Sequence, residues 1–86
     1  MYNIIELYIN KLSKSDVYNF AISKQVYLSN EELDFTYEFI KKNWKDVIKN
    51  PNLFDIDRYK NKYTPENFKK VKQIFQEYFQ KFRNYL

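Results

Sequence analysis

The carboxylates offer the first chemistry to consider. Asp55, Asp57 and Glu66 stand at the first, third and twelfth places of a calcium-loop pattern, a spacing from which oxygen ligands can surround a hard cation. The rest of that pattern is missing. Tyr59 takes the fifth place, Lys60 the sixth, where a glycine turn is required, and Pro65 the eleventh. These acids therefore read as caps on two successive helical elements. Glu31, Asp34 and Glu38 share a helical face at i, i+3 and i+7, and such a cluster can serve acid–base or metal chemistry. Glu38, however, precedes Lys42 by four residues and Lys42 precedes Asp46 by four, so the face reads as solvated and ion-paired. Ser13, Ser15, Ser23 and Ser29 have no histidine to activate them, and Ser13 and Ser29 stand where helix caps belong. The expectation is a protein with no catalytic residue, no metal and no cofactor, hence not an enzyme.

Composition narrows the field in the same direction. The chain has 86 residues and no Gly, His or Cys. Disulfides, thiolate chemistry and the usual zinc sites are excluded. So are the glycine-rich phosphate loops, and the reading extends to an absence of any turn that needs a positive φ. At roughly 150 residues per domain, residues 1–86 form one unit. Nine Tyr, eight Phe and one Trp supply the burial that a disordered chain lacks. A core this small leaves a homodimer open. The first residues carry neither the basic region nor the apolar run of a signal peptide, no apolar run is long enough to span a membrane, and a cytoplasmic protein without a membrane partner is expected.

Charge is uneven along the chain. Residues 51–86 hold eight basic residues (Arg58, Lys60, Lys62, Lys69, Lys70, Lys72, Lys81, Arg83) and four acidic ones (Asp55, Asp57, Glu66, Glu77), so the whole net charge of +4 resides there. On the last helix Lys69, Lys72 and Arg83 line one flank without an interrupting acid, and with Lys60 and Lys62 they form a candidate surface for phosphates. Lysine stems that cover apolar surface are the plainer account.

The elements that must position these groups are helical. Ile4, Ile5, Leu7, Tyr8 and Leu12 predict a first helix over 3–12, and Ser13 with Asp16 predicts a second over about 14–24. Val26-Tyr27-Leu28 is an extended link. Ser29 and Glu32 open a long helix whose stripe is Leu33, Thr36, Tyr37, Ile40, Trp44, Val47 and Ile48, and Asn50-Pro51 ends it. After an irregular Asn52-Leu53, a short helix falls within 54–63. Thr64-Pro65-Glu66 starts the last helix, 65 to about 84, with Phe68, Val71, Ile74, Phe75, Tyr78, Phe79, Phe82 and Tyr85 on its apolar side. The fold class is all-α: a bundle of four to five helices around the long pair at about 30–49 and 65–84.

Phe35 and Phe39 lie off the main stripe of the long helix, as a second apolar strip. Either the first or second helix packs across them, or they join an exposed patch that serves dimerisation or a partner. With Tyr37 and Trp44 they are the candidate partner-binding anchors.

The order of signals resembles the small YqfT-like family of Gram-positive bacteria. The likeness lies in Ile9-Asn10-Lys11-Leu12, the capped second helix with Phe20-Ala21, Leu28-Ser29 before the long helix, Asn52-Leu53-Phe54-Asp55 after it, and Ile74-Phe75-Gln76-Glu77-Tyr78-Phe79. That resemblance implies a helical fold and a cytoplasmic origin, and no activity. Residues 13–49 are also faintly similar to helix-extension-helix modules that bind nucleic acid. The reading that results is a non-enzymatic helical module for protein–protein interaction or self-association, with a nucleic-acid-associated role for the region Arg58 to Arg83 as the alternative.

Overall fold

The computed structural model describes residues 2–50 and 54–83, the side chains of Tyr2, Phe79, Phe82 and Arg83 excepted. Pro51, Asn52-Leu53 and Tyr85 lie outside the described residues. The apolar run near the amino terminus forms α1 (Tyr2–Lys11). Ser13 Oγ then accepts from the Asp16 amide at 3.0 Å while the Asp16 carboxylate accepts from the Ser13 amide at 3.0 Å, a reciprocal box that starts α2 (Lys14–Ser23). Ser29 and Glu32 repeat the arrangement, at 3.1 and 2.8 Å, at the head of α3 (Asn30–Lys49). The Asp55 carboxylate accepts from the Asp57 amide at 3.0 Å and opens a short 3-10 helix, Ile56–Lys62. Thr64 Oγ1 accepts from the Asn67 amide at 3.2 Å, and Pro65 occupies the first position of α4 (Pro65–Arg83), where no amide donor is needed. Among the described residues there is no strand. The protein is a small all-α bundle containing the expected long pair.

One turn departs from what the lack of glycine led us to expect. After α2 the Gln25 amide donates to Ile22 O and the Val26 amide to Ala21 O, both at 2.8 Å. This is the Schellman pattern, and it places Gln25 in the left-handed region at φ 63°. A side chain there costs about 1 kcal/mol against glycine. The burial of Val26, 1% exposed, and of Ala21 offsets that cost.

α3 is the hub, and α1, α2 and α4 all pack on it, α2 most extensively. Its two sides differ in chemistry. Among the described residues Val17 and Ala21 of α2, Val26 of the link, and Val47 and Ile48 of α3 are the buried aliphatic ones. The other seam is aromatic, because Phe35 and Phe39 stand one turn apart and meet rings from the 3-10 segment. Phe35 lies 5.7 Å from Tyr59 and 5.8 Å from Tyr63, centroid to centroid, and Phe39 lies 5.0 Å from Tyr59 and 5.5 Å from Phe54. Phe54 passes the contact to Phe75 of α4 at 4.9 Å, and Tyr63 to Phe68 at 6.3 Å. The second apolar strip is thus covered by the residues after α3, not by α1 or α2. Periodicity reveals that a strip exists, but a cover 20 residues downstream follows from how the chain reverses.

Candidate functional site

Among the described residues the one buried charge is at the junction of the two long helices. Glu32 is 5% exposed, yet its carboxylate is fully engaged. Oε1 accepts from the Ser29 amide at 2.8 Å and from Asn67 Nδ2 at 2.9 Å, and Oε2 accepts from the Thr64 amide at 2.8 Å. The amino-terminal ends of α3 and α4 therefore share a single anion, which both helix dipoles favour. Asn67 Nδ2 also donates to Tyr27 O at 3.0 Å, tying in the link. Above the carboxylate, Thr36 Oγ1 donates to Glu32 O at 2.7 Å, so the 2.6 Å contact with Tyr63 is a bond that the phenol donates.

The titration behaviour of this cluster follows from its contacts. Burial alone pushes the Glu32 carboxyl up, but the bonds from Ser29, Thr64 and Asn67 together outweigh it and hold the group below the usual glutamate range. Burial pushes the Tyr63 phenol up, and the Glu32 charge adds to the rise. A general acid or base near neutral pH needs the opposite shift of its carboxyl. Glu32 is a staple between helices, and among the described residues no buried side-chain nitrogen or oxygen lacks a partner.

Five of the acids weighed in the sequence are likewise engaged. Asp55 caps the 3-10 helix, Asp57 accepts from Lys72 Nζ at 2.9 Å and Glu66 pairs with Lys70 at 3.7 Å. Asp34 meets Lys14 at 2.7 Å, which holds that ammonium above the ordinary lysine range, and Glu38 meets Lys42 at 3.6 Å. Among the described residues no three His, Cys, Asp or Glu side chains gather as metal ligands do.

The basic candidates differ in their surroundings. Lys72 is met by Asp57, an acid that interrupts the flank from outside its own helix. Lys62 Nζ sits 5.6 Å from the Phe35 ring centroid. Lys60 and Lys69 are exposed, and the side chain of Arg83 lies outside the described residues.

Of the aromatic anchors, Phe35 and Phe39 are half-buried members of the ring cluster. Tyr37 is half-buried between two ammonium groups, Lys14 at 5.9 Å and Lys41 at 5.5 Å from its centroid, and Trp44 has Lys45 at 5.5 Å. Lys41 and Lys45 also hold α1. Lys41 Nζ donates to Ile9 O at 2.7 Å and Asn10 O at 3.1 Å, satisfying carbonyls at the end of α1, and Lys45 pairs with Glu6 at 3.5 Å.

Among the described residues α1 carries the two most exposed large apolar side chains, Ile4 and Tyr8. Ile5 and Ile9, with Leu12 just beyond the helix, are half-buried, whereas Ile4, Leu7 and Tyr8 are 70%, 62% and 69% exposed. The three fall at i, i+3 and i+4, a single stripe. The sequence contained the signal: apolar residues at 4, 5, 7, 8 and 9 occupy more of the helix circumference than one neighbour covers.

A shallow groove of about 200 Å³ runs beside the end of α3, lined by Asn43, Asp46, Val47, Asn50, Phe54 and Tyr59. It is smaller than the roughly 300 Å³ at which small-molecule pockets begin. Among the described residues no helix is long and apolar enough to cross a membrane. No family model, curated protein or solved structure matches the chain.

Proposed function

We propose that this protein is a non-enzymatic, cytoplasmic helical module that binds another protein through the outer face of α1. The observation that carries the reading is the exposure of Ile4, Leu7 and Tyr8 on one stripe. An amphipathic helix that docks into an apolar groove presents anchors at this spacing. Tyr37 and Trp44 stand beside the lysines that hold α1. Phe35 and Phe39 serve the fold instead. The engagement of Glu32, Asp34, Glu38, Asp55, Asp57 and Glu66 in caps and ion pairs supports a non-catalytic role.

A partner's groove suits this stripe better than a second copy does. Three side chains exposed to this degree offer roughly 350 Å² per copy, so two copies meeting there cover about 700 Å² of these side chains, short of the roughly 1,200 Å² of a stable interface. A groove that wraps the helix from both sides recruits additional area.

The test is capture from the native cytoplasm by the intact protein and by Leu7→Asp, with thermal melting of both. We expect a protein retained by the intact chain to be lost by Leu7→Asp at an unchanged melting midpoint. Retention of the same protein by the variant contradicts the proposal.

A further inference from the structure

A second surface, on the seam of α2 and α4, combines rings with cations. Phe20, 39% exposed, meets Tyr78 edge-on at 5.3 Å. Lys24 Nζ lies 5.9 Å from the Phe20 centroid and 5.5 Å from that of Tyr78, and Lys81 Nζ lies 4.7 Å from Tyr78. Among the described residues neither ammonium has a carboxylate partner, unlike Lys14, Lys42, Lys45, Lys70 and Lys72. The exposed acid nearest in sequence is Glu77, four residues before Lys81.

We infer that this seam binds single-stranded nucleic acid. Two exposed ammonium groups that lie against a ring pair and meet no carboxylate suit an occupant that brings negative charge and a flat apolar surface together. Each nucleotide of a single strand supplies both, a phosphate for the lysines and a base face for Phe20. An acidic peptide supplies the charge without the plane, and a duplex keeps its base faces stacked inside. The site shares no residue with the exposed stripe of α1 or with the Lys72–Asp57 pair, so its test is independent of the protein-binding reading.

The test is fluorescence anisotropy of a labelled oligothymidylate of about 12 nucleotides at about 50 and about 200 mM salt, with polyglutamate and a duplex of equal length as competitors. We expect a dissociation constant of roughly 10–100 μM at the lower salt, and a log–log salt slope near −1.4, about −0.7 for each of two phosphates neutralised. Lys24→Gln/Lys81→Gln flattens that slope. Phe20→Leu, which keeps an apolar side chain against Tyr78, weakens binding about tenfold at an unchanged melting midpoint. Glu77→Gln strengthens it about twofold. The inference is overturned by absence of binding at the lower salt, by an unaffected Phe20→Leu, or by competition from polyglutamate or duplex equal to that of the single strand.

Discussion

The junction of α3 and α4 and the amino-terminal helix α1 use the same kinds of residue to opposite ends. At the junction a carboxylate is buried, every donor around it is satisfied, and two helix ends, a link and a tyrosine are tied to a patch a few residues wide. α1 is a ten-residue helix, too short to persist alone, and its principal packing is against one neighbour. Its polar ties are two lysines of α3, and half of its apolar side faces water. The contrast teaches where stability and function divide in a chain this small. Residues that close the junction define the fold, and those that leave α1 half-covered are free to meet something else.

Removing the carboxylate breaks the comparison most severely. Glu32→Ala strands three donors and should cost about 3 kcal/mol, lowering the melting midpoint by about 15 °C. The same group gives the stability a sign in pH. Its folded-state pKa is held below the unfolded value of about 4.3, so the contribution is present above about pH 4.3 and is lost as pH falls from there through the lower, folded value. Melting of the intact protein should therefore weaken in that window, with a shallower dependence in Glu32→Gln.

Loosening the weaker region has a smaller effect. Lys41→Met removes the bonds to Ile9 O and Asn10 O and should cost about 1 kcal/mol, with amide exchange accelerating in α1 and unchanged at the junction. Equal acceleration in both regions contradicts the division. The smallest change is a gain. Gln25→Gly relieves the left-handed residue after α2 and should stabilise by about 0.5–1 kcal/mol in denaturant melts.

Much of this architecture was legible in the residues themselves. The caps at Ser13, Ser29 and Thr64 are local chemistry, so the helices begin where those residues place them. Glu32 was legible only by half. Its bond to Ser29 is a matter of spacing, whereas its bonds to Thr64 and Asn67 span more than 30 residues and exist because α4 returns to the head of α3. Phe35 and Phe39 repeat the lesson, since their covering rings come from a segment with little periodicity of its own. Lys72 shows the limit for charge: helical spacing shows which acids share its helix and is silent on Asp57 from the preceding one. The left-handed Gln25 was missed because glycine is the usual, but not the only, residue that a Schellman turn accepts.

The central claim is that the ring cluster holds the fold while the α1 stripe is free for binding. It is tested most directly by melting Phe35→Ala and Leu7→Asp side by side. Phe35 is half-buried against three rings, so its loss should cost about 2–3 kcal/mol, or about 10–15 °C, while the aspartate at position 7 shifts the midpoint by about 2 °C or less. A Leu7→Asp protein that melts as low as Phe35→Ala, or a Phe35→Ala protein as stable as the parent, contradicts the account.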